Sequence, residues 1–273
     1  MAIESARTPL DAGLLRADLP AGWRTLDVVD ETGSTNADLL ARAAAGGEVA
    51  GSVLLTEFQH SGRGRHGRQW SAAPRSQVAM SVGVDAGGVT PDAWGWLPLL
   101  TGVAVRDAVA EVTGVQAGLK WPNDVLVGDG KLAGILAEVA APQPVVVVGI
   151  GLNVSLSADE APDPRATSLA MLGASDLDRN PLVSAILRFL GERVSRWRGA
   201  DGADPALIAD YRRHSLTLGR GVRAILPGDR RLEGTATDID GLGRLTITTG
   251  SESVTVAAGD ITHLRPAGPA DDA

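Results

Sequence analysis

The chain has 273 residues, 44% of them hydrophobic, and a formal net charge of −8, which suits one large domain or a large and a small one. The acidic balance speaks against a nucleic-acid binder, whose surface is usually basic, and no run approaches the ~18 consecutive apolar residues of a membrane span. The lack of cysteine excludes disulfides, thiolate zinc sites and a cysteine nucleophile. The four histidines, His60, His66, His214 and His263, have no metal-ligand spacing. The N-terminal stretch carries acids and a proline rather than a signal-peptide core. With the missing cysteines, this predicts a cytoplasmic protein.

In chain order, residues 24–31 read as a strand. Ser34 or Thr35 then offers an N-cap to a helix through Ala44. Residues 51–58 read as a buried strand, 59–76 as a loop that Pro74 keeps from helix, and 77–84 as another strand. Apolar periodicity predicts one core helix from Asp92 to Val112. Residues 118–127 read as a strand bent or edged by Pro122. Gly128-Asp129-Gly130 is a hairpin turn into a return strand at 131–139. A β-branched strand spans 144–154, irregular chain follows over 155–180, and helices are predicted at 181–198 and 205–214. Beyond Ser215, short alternating segments at 222–226, 232–239, 244–248 and 253–256, separated by turns at 227–229 and 240–243, suggest a small β-barrel. Residues 266–273 are expected to be disordered.

The stretch 62–70, GRGRHGRQW, packs three arginines and three glycines into its first seven positions. Glycine permits close backbone approach and arginine matches phosphate and carboxylate. Gly62-x-Gly64-x-x-Gly67 imitates a dinucleotide fingerprint, even to Asp85 about 20 residues on. That fingerprint needs a helix opening within the glycines, however, and residues 71–76 are proline-broken. A solvated basic turn and an anion-binding loop remain, and Trp70 at the end of the Gly/Arg alternation favours the loop. Lys131 is either a surface charge beside a turn or, framed by Gly130 and Gly134, a cation aimed at an anion under that loop. The hairpin brings Asn123 and Asp124 towards it. Gly149-Ile150-Gly151, followed by Asn153, reads as a β-bulge or as a close-approach surface. Ser34-Thr35-Asn36 reads as a plain cap or as a binding wall. No Walker A loop is present.

Taken together, STN at 34–36, EFQHSGRGRHGRQW at 57–70, KWPNDV at 120–125, GKLAGILAE at 130–138 and GIGLNV at 149–154 resemble the biotin–protein ligase (biotin–[acetyl-CoA-carboxylase] ligase) family over roughly residues 24–265. The resemblance implies an α+β fold related to class II aminoacyl-tRNA synthetases. Its mixed, largely antiparallel sheet would be flanked by helices over 1–214, with an SH3-like β-barrel over 215–265. It also implies activation of biotin by MgATP to biotinyl-5′-AMP and transfer to one lysine of a biotin carboxyl carrier domain of an acyl-CoA carboxylase. Neither a nucleic acid nor a membrane is an expected partner. The 23 residues before the first predicted strand are too few for the winged helix-turn-helix of longer members, so no repressor activity is expected.

Residue by residue, the resemblance gives biotin to Ser34, Thr35, Asn36, Gln59, Gly62, Arg63, Gly64, Arg65, Lys131, Gly134 and Gly149. It gives ATP to Arg65, Arg68, Trp70, Asn123, Lys131 and Asn153, and catalysis to Lys131, Arg63, Arg65 and Asp124, with no dedicated metal ligands. His66 stands where an arginine is common. Lipoate–protein ligase shares the strategy and fold, but the KWPND and GKLAG pair favours biotin. A non-catalytic nucleotide- or nucleic-acid-binding module is disfavoured by the net charge and the absence of aromatic clusters.

Overall fold

Every second residue of the β-branched run changes character midway, and the sheet is organised around that change. The structure, a computed structural model, describes residues 7–226, 230–258 and 263–266. In it, β7 (Val145–Asn153) is flanked by β3 (Gln77–Asp85) and β6 (Gly130–Val139). With β1 (Thr25–Thr32), β2 (Ser52–Gln59), β4 (Gly118–Lys120) and β5 (Asp124–Val127), they form a seven-stranded sheet of order β1-β2-β3-β7-β6-β5-β4. Only β1 and β2 run parallel; the other neighbours are antiparallel.

One face of β7 presents Val146, Val148, Ile150 and Leu152 to the main core, which includes α3 (Leu97–Thr113) and α4 (Arg179–Gly199). On the other face, Val145 and Val147 pack with Leu54 and with Leu39 and Ala43 of α2 (Thr35–Ala44). The positions that continue this second face are Gly149, Gly151 and Asn153. Successive strand residues alternate faces, so the switch from valine to glycine marks where the α2 cover ends and an open floor begins.

Some local expectations are corrected. The predicted helix from Asp92 is a 3-10 turn over Pro91–Trp96 followed by α3 from Leu97. Pro98 has no N–H to donate, so a regular α-helix holds it only in its first turn. The predicted strand over 118–127 is two strands: β4 pairs antiparallel with β5, Gly118 opposite Leu126, and Pro122 sits in the turn between them. α1 (Ala12–Ala17), capped by Asp11, had no sequence prediction. α5 (Pro205–His214) falls where it was expected.

The predicted closed barrel is also corrected. β8 (Gly221–Ile225), β9 (Arg231–Ile239), β10 (Leu245–Thr249), β11 (Glu252–Val256) and an unpredicted β12 (His263–Pro266) form a sheet of order β11-β10-β9-β8-β12. Among the described residues its end strands do not pair. A small sheet must close on itself or find a cover, and here the larger domain supplies it. Val222, Ala224, Ala236, Ile239, Leu245 and Ile247 join the main core. Trp96 Nε1 donates to the Asp240 carbonyl (3.2 Å) and Trp121 Nε1 to that of Gly243 (3.0 Å). The predicted turn at 227–229 and the predicted disordered tail, apart from Pro266, lie outside the described residues. Among the described residues no helix is long and apolar enough to cross a membrane.

A buried ion pair ties the N-terminal segment to the sheet. Arg179, at the start of α4, bonds the Glu57 carboxylate at 2.6 Å and the Thr8 carbonyl at 2.6 Å. The second Glu57 oxygen accepts from the Leu10 N–H at 2.6 Å. Both side chains are almost fully buried. Removing one partner therefore leaves an uncompensated charge in the interior. Glu57→Ala is expected to lower stability by about 3–5 kcal/mol in urea unfolding; a loss below about 1 kcal/mol would show that the pair is not holding this corner.

Candidate active site

The open floor of the sheet underlies a cavity of about 520 Å³, within the usual range for small-molecule sites. Three glycines make the floor. Gly134 and Gly151 lie directly opposite each other across β6 and β7, and the Trp70 indole covers both. A Cβ on Gly151 would stand 2.4 Å from the indole ring, and one on Gly134 would stand 2.9 Å from it. A Cβ on Gly149 would stand 2.4 Å from Asn36 Oδ1. The strand pairs in unbroken register with both neighbours through 149–151, so this is a close-approach surface and not a bulge.

The arginine loop is a folded hairpin. Gly64 N–H donates to the Arg68 carbonyl (2.7 Å) and Trp70 N–H to that of Gly62 (2.8 Å). The chain reverses at His66 and Gly67, both with positive φ. Gly62 does not line the cavity; a Cβ there would lie 2.3 Å from the Trp70 carbonyl oxygen, so its bareness lets the hairpin close. Trp70 Nε1 is fixed by Gln77 Oε1 at 2.6 Å.

One group of residues at the cavity is neutral and hydrogen-bonding. Ser34 caps α2 through the Ala37 N–H, which places Thr35 and Asn36 in the first turn. Thr35 N–H donates to Gln59 Oε1 at 3.0 Å. Ser81 Oγ donates to Asn36 Oδ1 (2.6 Å), and its oxygen lies 2.6 Å from Thr35 Oγ1. Ser81 and Thr35 have one proton each; Ser81 gives its proton to Asn36, and Thr35 gives its own across the 2.6 Å contact to Ser81 in preference to Gln59 Oε1 at 3.2 Å, so the chain has a direction. Both Asn36 amide protons are used, by the Leu136 carbonyl (3.2 Å) and the Glu138 carboxylate (2.8 Å). Arg63 reaches the same carboxylate at 2.6 and 2.7 Å.

A second group is cationic. Arg65, Arg68, Lys120, Lys131 and Arg165 line the cavity, with Arg63 near the loop base and Asp124, Asp129 and Asp163 as the carboxylates. Six cations thus face three carboxylates in a chain of net charge −8. Burial pulls the Arg65 guanidinium below its ordinary pKa; Asp124 opposes that fall and neighbouring Arg68 adds to it. Desolvated cations set beside one another favour a bound anion. Lys131 Nζ lies 2.6 Å from Asp124 Oδ1 and 5.4 Å from the centre of the Trp70 ring. Its backbone is pinned by the segment predicted as irregular, through the Arg165 carbonyl (2.6 Å) and the Thr167 N–H (3.0 Å). Asn153 Nδ2 donates to the Thr167 carbonyl (2.9 Å), and Asn123 Nδ2 to that of Ile135 (2.9 Å).

All the site residues expected from sequence therefore gather on this cavity, except Gly62, which underlies the loop. Sequence reasoning missed Ser81, Gln77 and Glu138 as parts of the site. Gln77 and Ser81 share a strand face with Asn153 and Gly149, opposite which they pair. The signal was a polar residue at alternate positions of an otherwise apolar strand. The carbonyl of Ala258 accepts from Arg65 Nη2 and Leu264 lines the cavity, so the C-terminal sheet reaches the site as well.

The sequence matches the biotin/lipoate A/B protein ligase family over residues 32–155 and the biotin protein ligase C terminal domain over residues 217–264. It is 54% identical over 265 residues to the biotin–[acetyl-CoA-carboxylase] ligase of Mycobacterium tuberculosis, covering 95% of this chain and 97% of that protein. It is 30% identical over 227 residues to the bifunctional ligase/repressor BirA of Escherichia coli, covering 81% of this chain and 67% of that protein. The fold is similar to that of the biotin protein ligase from Aquifex aeolicus in complex with biotin and ATP. The TM-score is 0.77 at 26% identity, over 90% of this chain and all of that one.

The bare floor makes a structural prediction. Gly151→Ala is expected to cost about 1–3 kcal/mol in urea unfolding, the usual scale of overpacking, because the rigid indole must move. Most of that cost should vanish in a Trp70→Ala background. An equal cost in both backgrounds would show that Gly151 is not bare on Trp70's account.

Proposed function

The chain belongs to the biotin protein ligase family, and we infer that it works as an ATP-dependent ligase. It activates biotin as biotinyl-5′-AMP and passes the biotinyl group to a lysine of a biotin carboxyl carrier domain of an acyl-CoA carboxylase. The observation that carries this reading is that one cavity is lined both by a hydrogen-bonded group of hydroxyl and amide side chains, Ser34, Thr35, Asn36 and Gln59, and by six cations. The first group suits a ureido ring and the second a carboxylate meeting a phosphate. The match of residues 217–264 to a biotin protein ligase domain favours biotin over lipoate.

In the first step a biotin carboxylate oxygen attacks the α-phosphorus of ATP, a phosphorus–oxygen bond forms, and pyrophosphate leaves with the electrons of the broken bond. Two anions must meet, so cations that gain contact as charge develops lower the barrier. Lys131 and Arg65 are the residues for this role, with Arg68, Trp70, Asn123 and Asn153 serving the nucleotide. Ser34, Thr35 and Gln59 face the ureido ring. Asn36, its amide protons already engaged, holds the wall behind them. Gly134 and Gly149 provide the floor, and Arg63 and Gly64 belong to the cover. In the second step the acceptor lysine's neutral amine attacks the acyl carbon and AMP leaves. Asp124, released when Lys131 turns to the anion, is the candidate to orient that amine or accept its proton.

Mg²⁺ belongs to this reading as the partner of ATP, where it offsets triphosphate charge. Among the described residues no group of three histidines, cysteines or carboxylates could hold an ion. Asp124, Asp129 and Asp163 line the cavity. Mg²⁺ needs only one or two carboxylates beside phosphates and water, so these residues fit an ion carried in on the nucleotide. The catalytic unit of this reading spans 1–214 and the C-terminal unit 215–265. The Arg65–Ala258 contact supports a share in the site for the second unit. A cytoplasmic setting suits a cysteine-free consumer of ATP.

Incubating the purified chain with biotin, MgATP and a biotin carboxyl carrier domain should yield streptavidin-detectable product that excess lipoate does not suppress. No product from folded enzyme and competent acceptor would defeat the reading. Lys131→Ala should slow biotinyl-adenylate formation by about 100-fold with little change in melting temperature. An undiminished rate would remove Lys131 from the chemistry.

A further inference from the structure

Glu138 has no part in the chemistry above, yet it is where the polar chain of the site ends. It does not line the cavity. It lies on β6 opposite Val147, just beyond the glycine floor on the same face. Its carboxylate accepts Arg63 Nη2 at 2.6 and 2.7 Å and Asn36 Nδ2 at 2.8 Å. Arg63 belongs to the arginine loop and Asn36 to the first turn of α2, so one side chain on the sheet holds two elements that are remote in sequence. The direction of the hydrogen bonds requires an acceptor there. Thr35 donates to Ser81, Ser81 to Asn36, and Asn36 onward, while Arg63 donates from the other side. A carboxylate is acceptor-only and charged, and so can close both.

We propose that Glu138 is a positioning residue, a latch that docks the arginine loop onto the α2 wall through Arg63. The Arg63 guanidinium then anchors the closed loop, leaving Arg65, Arg68 and Lys131 as the cations turned to the ligand. Arg63 and Glu138 are both partly exposed, at 42% and 29% of their side-chain area, so the latch can open without burying an unpaired charge. The latch itself stands on the contacts named; its use in retaining an adenylate rests on the function proposed above.

Two readouts separate these. In the ligand-free protein, trypsin cleavage after Arg65 and Arg68 reports loop docking. Glu138→Ala is expected to speed cleavage roughly tenfold, the scale of a lost charge-assisted bond, and Glu138→Gln to do so less. In an Arg63→Ala background, Glu138→Ala should add less than about twofold, since partners in one interaction are not additive. Unchanged cleavage in Glu138→Ala, or a full effect that persists without Arg63, overturns the latch. With biotin and MgATP, Glu138→Ala should release biotinyl-adenylate roughly tenfold faster and raise KM for biotin more than it lowers kcat. A loss confined to kcat overturns the positioning role. If the wild-type chain forms no adenylate, the proposed function fails while the trypsin readout still decides the latch.

Discussion

Gly134, Gly149 and Gly151 leave one face of β6 and β7 bare, and much of the site follows from what that bareness admits. Trp70 lies over two of them and Asn36 stands against the third. Any side chain at Gly149 or Gly151 would come within 2.4 Å of its neighbour, and neither neighbour is free to leave. Trp70 is held by Gln77 and by its own hairpin, and Asn36 by Ser81, Leu136 and Glu138. Steric absence on the sheet thus sets the positions of the loop, the helix start and the cavity between them. Glycine usually weakens a strand; here the cost is offset by the valines and isoleucine on the opposite face, packed into the main core.

Electrostatics adds a second constraint. An acidic chain has gathered six cations around one cavity, and its own carboxylates engage three of them. Asp124 engages Lys131, Glu138 engages Arg63, and Asp163 engages Arg165. The Arg63 and Arg165 pairs are modest and partly exposed, so an incoming anion can replace them at small cost, whereas the Asp124 oxygen that meets Lys131 is itself buried. The Glu57–Arg179 pair is of another kind. It is buried, fully engaged and remote from the chemistry, and it fastens the N-terminal segment against β2 and β3. Arg179 also bonds the carbonyl of Gln77 (3.3 Å), the residue whose side chain holds Trp70, so the scaffold and the site share a strand.

The small C-terminal sheet illustrates how a local pattern can misdirect. Four short alternating segments after Ser215 suit a closed barrel, and their lengths and turns read alike for closed and open sheets. The choice lay in what could cover the buried face. Trp96 and Trp121, far back in the chain, lead that cover by reaching the carbonyls of the 240–243 turn. The same limit applies to β4 and β5, whose antiparallel pairing was not readable locally, and not to Pro98, whose effect on its own helix is local.

What the sequence alone determined was of short range or carried by motif. The strands of the large sheet other than the β4–β5 division, a helix cap at Ser34 or Thr35, the 128–130 turn and the family itself all rest on periodicity, turn chemistry or contiguous residues. The candidate cluster of Lys131, Asp124 and the arginine loop could also be read, because a hairpin and a glycine-rich run announce themselves locally. Tertiary structure alone decided that Ser81 and Gln77 share the strand face of Gly149 and Asn153, that Glu138 gathers Arg63 and Asn36, that Gly62 serves the hairpin and not the cavity, and that among the described residues the end strands of the last sheet do not pair. Each of these depends on strand register and on which distant surface supplies the cover. A residue's own neighbours in the chain constrain its backbone, but they say little about which side chain will stand opposite it across a sheet.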